Sequence, residues 1–239
     1  MTLTEERIVT QPEARVRDLR PLWRVALAIA LPLGPLLVTV ARAILPYWTS
    51  DDPATIVAKT AAAPDTMNLL IWLGAFLTPC MIISMLTLGY VARRGAPVLA
   101  TIGTVLSFGA YALWGASANT DYTATVLLAA GYGVEEVVAL TGHLESTVLS
   151  MAVSFFWVLG HILGLVILAI ALHRARVLPL WAATLMALSQ PVHLLSAVIL
   201  PSRWLDVFGG WGITTVTCAL VSAWILRRRD DDWDLPPVR

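Results

Sequence analysis

Ser154-Phe155-Phe156-Trp157-Val158-Leu159-Gly160-His161-Ile162-Leu163-Gly164, SFFWVLGHILG, is apolar at nearly every position and carries one histidine near its centre. Extended both ways, the run covers residues 147–172 without meeting an Asp, Glu, Lys or Arg. About 20 apolar residues in a helix cross the hydrocarbon core of a bilayer. The stretch therefore reads as a membrane span with an ionisable group inside it.

The pattern recurs along the chain. Val25–Leu45, Met67–Val91, Pro97–Ser117, Thr147–Leu172, Leu178–Leu200 and Val207–Leu226 each meet the length requirement, giving six spans. Thr123–Leu140 is a seventh apolar stretch, but Glu135 and Glu136 interrupt it. A charge at a helix centre costs about 2.5 kcal/mol or more in lipid. This segment therefore reads as an amphipathic helix outside the hydrocarbon. Composition agrees: 58% of the 239 residues are hydrophobic and 13% charged, with a mean hydropathy of +0.75. Soluble domains average about 45–50% apolar and about 25% charged. The expected fold is an all-α polytopic bundle in a plasma membrane. A net charge of zero leaves no basic footprint for nucleic acid. Cys80 and Cys218 lie in separate apolar segments and read as small buried hydrophobes.

Charge asymmetry orients the bundle. With six spans and the N-terminus inside, Arg7, Arg15, Arg17, Arg20, Arg24, Arg93, Arg94, Arg174, Arg176, Arg227, Arg228, Arg229 and Arg239 are internal, thirteen of the sixteen basic residues. Arg42, Lys59 and Arg203 fall at or beyond the outer ends. The positive-inside rule then places both termini in the cytoplasm. Residues 1–24 and 227–239 form cytoplasmic tails around the transmembrane domain 25–226. The first apolar run is too long for the roughly 7–15 residues of a signal peptide and is expected to remain as a span. Two long loops, 46–66 and 118–146, face outward. Loops of that length are more often functional than idle.

Polar residues inside spans are expensive and face the bundle interior. Residues three and four apart share a helix face. Ser107, Tyr111, Trp114 and Ser117 follow that spacing in the third span, and Ser150, Ser154, Trp157 and His161 in the fourth. Ser189, His193 and Ser196 do so in the fifth, with Gln190 on the flank. At ~1.5 Å of rise per residue, His161 lies roughly 18 Å below the outer surface, His193 roughly 10 Å and Gln190 roughly 15 Å. The expected site is an outward-facing cavity with His161 at its floor. Its candidate ligand-binding residues are His161, His193, Gln190, Tyr111, Trp157, Trp114 and Ser154. Gln190 and Ser189 are the natural partners of His161, and Gly160 and Gly164 form a close-packing pair. Glu135, Glu136, His143 and Glu145 are external-loop candidates, most simply a solvated helix face.

Other chemistry is less well represented. No Asp or Glu falls within the expected spans, which argues against acid–base catalysis there. No resident cofactor is expected, although two histidines on facing helices leave a haem on His161 and His193 as an alternative. No set of three or four metal ligands stands out. Pro32, Gly34 and Pro35 are expected to break the first span and Pro79 the second.

The passage from Gly160-His161 through Leu172, continuing as His173-Arg174-Ala175-Arg176-Val177-Leu178-Pro179-Leu180-Trp181-Ala182-Ala183, resembles the uncharacterised multi-pass membrane proteins common in actinobacteria. Arg93-Arg94-Gly95-Ala96-Pro97 resembles the same group. The resemblance implies a bacterial plasma-membrane protein and no particular activity. Three classes stay open. The first is a binding or accessory protein, holding a small apolar or amphiphilic molecule or docking another membrane protein. The second is a small membrane enzyme acting on an isoprenoid-like or lipid substrate, as compact terpene cyclases do. The third is a proton-coupled carrier, for which no inverted repeat is visible.

Overall fold

A computed structural model describes residues 17–116 and 119–234. Ser117, placed above on the polar stripe of the third span, lies outside the described residues, as do Arg7, Arg15, Arg239, residues 1–16 of the N-terminal tail and the last five residues of the C-terminal one. The described chain is helical, without a strand among the described residues. Six helical stretches are long and apolar enough to cross a membrane: Arg20–Ile44, Pro64–Ala92, Pro97–Ala129, Val148–Arg174, Leu180–Ile199 and Leu205–Leu226. Over the described residues the chain is thus helical, with six segments long and apolar enough to cross a membrane.

The first stretch is two helices, α1 (Arg20–Ala30) and α2 (Leu33–Ile44), broken at Leu31-Pro32. Pro35 has no N–H to offer the carbonyl four residues earlier. That carbonyl belongs to Leu31, and it accepts instead from Ser84 Oγ at 2.7 Å. The partner comes from α4 (Pro64–Ala92), which follows the short helix α3 (Pro53–Ala62). Contrary to expectation, Pro79 does not break the second span: α4 runs through it uninterrupted. Neighbouring helices and local adjustment commonly let membrane helices tolerate a proline.

Next come α5 (Pro97–Ala116), α6 (Thr120–Ala129), α7 (Val134–Glu145) and α8 (Val148–Arg174). The segment read as one amphipathic helix is two helices, α6 and α7. Gly131 separates them at φ 92°, a conformation that strains any residue with a Cβ. On α7, Val137 and Thr141 are buried while Glu135, Glu136, His143 and Glu145 are exposed. Val57 of α3, Ala124 and Val137 form a small apolar core of their own. The main core lies between the long helices, and the contact between α5 and α8 is the most extensive in the molecule.

The chain then runs through α9 (Leu180–Leu194), a π-helical turn Leu195–Ile199, a second π-helical segment Leu205–Gly212, α10 (Ile213–Leu226) and α11 (Asp230–Trp233). Ion pairs gather both described ends of the chain on one end of the bundle. Arg20 pairs with Asp231 at 2.8 Å, Arg24 with Asp230 at 2.9 Å, and Arg93 of the α4–α5 turn with Asp234 at 3.5 Å. Exposed pairs of this kind are worth at most about 1 kcal/mol each. Their value here is topological, since an even number of crossings returns the chain to its starting end.

At the opposite end Asp52 caps α3, accepting from the Thr55 amide at 3.0 Å. Asp51 binds Lys59 Nζ at 2.7 Å. The Lys59 bond, then the Trp48 amide, hold Asp51 below the usual carboxylate range; the Thr55 hydroxyl and amide do the same for Asp52. A lowered folded-state value adds stability that is present above the unfolded value of about 4 and is lost as pH falls through the folded one. Acidification to about pH 3 should therefore loosen α3 before the long helices. Amide exchange, corrected for intrinsic rates, should show protection falling first over 53–62. Unchanged protection there would remove the capping account.

Candidate functional site

The two π-helical segments flank a buried polar cluster. Wider π turns shift side chains out of α-helical register, and they occur often at functional sites. Here the segment Leu205–Gly212 carries Asp206 inward until its carboxylate is wholly buried. Oδ1 accepts from His193 Nδ1 of α9 at 2.5 Å, and Oδ2 accepts from Arg42 Nε of α2 at 2.5 Å. With a donor on each oxygen, the carboxylate acts as acceptor only and Nδ1 carries the imidazole hydrogen. Trp211 Nε1 also lies 3.1 Å from that Nδ1. Because the nitrogen is already donating, this approach is a close contact and adds no second hydrogen bond. His193 is thereby fixed with Nε2 as its basic nitrogen.

His161 faces this triad from α8. Its Nδ1 lies 2.6 Å from the Trp157 carbonyl one turn earlier. A carbonyl can only accept, so Nδ1 donates and Nε2 keeps its lone pair. That Nε2 is buried without a protein partner. The ring centroid lies 4.4 Å from Trp157, 6.0 Å from His193, 6.4 Å from Trp211 and 6.4 Å from Tyr111. Trp114 stacks on Trp157 at 4.5 Å. The indole Nε1 of Trp157, Ser107 Oγ and Gln190 Oε1 are likewise buried and unpartnered. Buried polar atoms left so cost about 1–3 kcal/mol each. One of them, Trp157 Nε1, belongs to the ring packed against His161.

The close approach that builds this wall is made by glycine. A Cβ on Gly164 would stand 2.2 Å from Ser107 Oγ, and one on Gly160 would stand 2.8 Å from the Leu106 carbonyl. Small residues let membrane helices meet backbone to backbone. At the end of the bundle that carries α3, the 45–49 loop closes over the π-helical turn Leu195–Ile199. The Tyr47 hydroxyl donates to the Asp121 carboxylate of α6, and Trp48 Nε1 donates to the Ser196 carbonyl at 3.3 Å. Burial first, then the Asp121 carboxylate, raises Tyr47 well above the usual phenol value and keeps it protonated. The Arg42 guanidinium lies over the Trp48 ring, 4.2 Å from its centroid.

The structure thus brings together His161, His193, Tyr111, Trp157 and Trp114, with Gln190 beside them. It does not bring in Ser154, which is exposed near the outer end of α8. Gln190 and Ser189 are not partners of His161: Gln190 Nε2 donates to Thr214 Oγ1 at 3.0 Å, and the Ser189 hydroxyl lies 2.8 Å from that same oxygen. Glu135, Glu136, His143 and Glu145 stay on the exposed face of α7, where Glu136 caps the Gly133 amide at 2.9 Å. The sequence reading missed Asp206 and Arg42. The premise that no acid lies within a span fails at Asp206, one residue outside the expected start and inside the observed helix. An Asp and an Arg, each at the outer edge of an apolar run, were the available signal. Among the described residues no three His, Cys, Asp or Glu side chains cluster as a metal site.

Compared with protein-family models, curated proteins and solved structures, the chain finds no match. The site is therefore read from its own chemistry.

Proposed function

We propose that this chain is a bacterial plasma-membrane protein, with both termini cytoplasmic, that binds one small amphiphilic molecule in the outer half of the bundle. The observation that carries the reading is the unpartnered, buried His161 Nε2 beside a second histidine oriented by a buried carboxylate. A hydroxyl or N–H on the ligand would complete His161, while Trp157, Trp114, Trp211 and Tyr111 hold its apolar body. Sidedness rests on charge: Arg20, Arg24, Arg93, Arg94, Arg174, Arg176 and Arg227–Arg229 lie toward one end, against Arg42, Lys59 and Arg203 toward the other. Single cysteines at Arg174 should be labelled only from the cytoplasm and at Tyr132 only from outside. Labelling of Arg174 from outside would invert the assignment.

The dyad supports a second reading. His193 with Nδ1 held by Asp206 has the arrangement of a general base, which would serve a lipid- or isoprenoid-converting enzyme. Both readings share the histidine cluster and differ in turnover. The experiment is a melting series on protein washed free of small molecules and then resupplied with host membrane extract. A ligand at about 100 times its Kd stabilises by about 2.7 kcal/mol. Wild type should gain melting temperature, and His161→Gln and Tyr111→Phe should gain little. Equal gains in all three would defeat the pocket. A Soret band in the purified protein, lost in His161→Ala, would replace the amphiphile by haem.

A further inference from the structure

At the end of the bundle opposite the histidines, α9 and α10 diverge to leave a groove of ≈ 490 Å³. Leu178, Pro179, Trp181 and Leu220 make its walls, with Trp224 at its base and Arg227, Arg228 and Arg229 along its rim. We propose that this groove is a binding site for one anionic phospholipid, with the phosphodiester held at the arginine rim and an acyl chain along the Trp181–Leu220 wall.

Charge and exposure together carry the assignment. One wall looks outward: Trp181 is 60% exposed, a large apolar side chain on a surface that lipid covers. The rim is a run of three arginines, and no carboxylate pairs with any of them among the described residues. The neighbouring acids are already engaged: Asp230 by Arg24 and Asp231 by Arg20. Asp232 is the one acid lining the groove; its backbone carbonyl accepts from Arg94 at 3.0 Å, and its carboxylate, in no ion pair among the described residues, is outnumbered by the three arginines. The Arg228 guanidinium is held over the Trp224 ring, 4.2 Å from its centroid, which fixes one cation at the boundary between apolar floor and polar rim. The opening amides of α9 add to the field. Pro179 stands at the N-cap, no side chain caps the helix, and no acid occupies its first turn. The amides of Leu180, Trp181 and Ala182 thus have no acceptor within the helix. A basic rim above an apolar, lipid-facing wall suits a phosphate that carries an acyl chain. A soluble anion would use the rim and leave the wall uncovered.

The test reconstitutes the protein in vesicles of equal phosphatidylglycerol and phosphatidylcholine and counts retained lipids by native mass spectrometry. Wild type should retain phosphatidylglycerol at least about fivefold over phosphatidylcholine. Arg227→Gln/Arg229→Gln should abolish that preference. Trp181→Ala should weaken retention without changing charge. Arg174→Gln removes a charge from the neighbouring turn, outside the groove, and should leave the preference intact. These positions are exposed, so melting temperatures in neutral detergent should match wild type. Three results would overturn the proposal: equal retention of the two lipids by wild type, an undiminished preference in the double variant, or an Arg174→Gln loss as large as the double variant's. Displacement of the lipid by inorganic phosphate would show a free-anion site and would equally overturn it.

Discussion

Asp206→Ala is expected to destabilise the protein by about 3–5 kcal/mol, the largest effect of any single side-chain deletion in the bundle. The change removes the acceptor of both the Arg42 Nε bond and the His193 Nδ1 bond, each 2.5 Å long. It leaves a largely buried guanidinium, already carrying one unpartnered Nη2, without its ion-pair partner. The cost is mostly that of the stranded cation, and the pair's own net attraction is smaller. Adding Arg42→Met to Asp206→Leu should therefore recover a good part of the loss, because apolar residues of similar volume often replace a buried ion pair at little cost. Thermal melts in one detergent measure both. A wild-type melt for Asp206→Ala would mean that the carboxylate is not buried between two donors.

Gly164→Val carries the second large effect. Its Cβ would meet Ser107 Oγ at 2.2 Å, the Ser107 amide nitrogen at 2.8 Å and the Gly103 carbonyl at 3.0 Å. The hydroxyl can rotate away, but the two backbone atoms move only if α5 and α8 separate. Overpacking costs typically about 1–3 kcal/mol, and a rigid backbone contact belongs at or beyond the upper end. Because His161 lies on the same face one turn earlier, ligand retention should fall together with stability. Gly109 is the control: a Cβ there meets nothing within 4 Å. Gly109→Ala should be neutral or slightly stabilising, since alanine is the better helix former. Equal melts for Gly164→Val and Gly109→Ala would show that α5 and α8 do not meet at this glycine.

Much of the fold is legible in the sequence because lipid imposes one demand, a long apolar helix, and six runs meet it. The break at Leu31-Pro32 is legible for the same kind of reason, since Pro35 leaves the Leu31 carbonyl unpaired, and Ser84 answers it. Pro79 has the same chemistry and no kink: whether a proline breaks a membrane helix depends on neighbours that a single sequence does not display. The histidine cluster is legible from spacing and depth, which put His161, His193, Tyr111 and Trp157 on inward faces within one half of the bundle, although the counted depths set the two histidines roughly 8 Å apart. Ser154 follows the same arithmetic and fails. Asp206 and Arg42 stay hidden for a different reason. A lone charge at the edge of an apolar run looks interfacial until the opposite charge is seen beside it, and these two are 164 residues apart in the chain. The π-helical turn adds to the concealment, because counting by threes and fours does not hold through Leu205–Gly212.

The central claim is that the cluster around His161 holds a small molecule, and native mass spectrometry of protein drawn from its own membrane in mild detergent tests it most directly. Wild type should carry one adduct that is not a phospholipid and that Arg227→Gln/Arg229→Gln leaves in place. His161→Gln and Tyr111→Phe should each lose most of it while keeping their helical content. A wild-type protein that is folded and bare, or an adduct of the same mass and occupancy in all four proteins, would contradict the account.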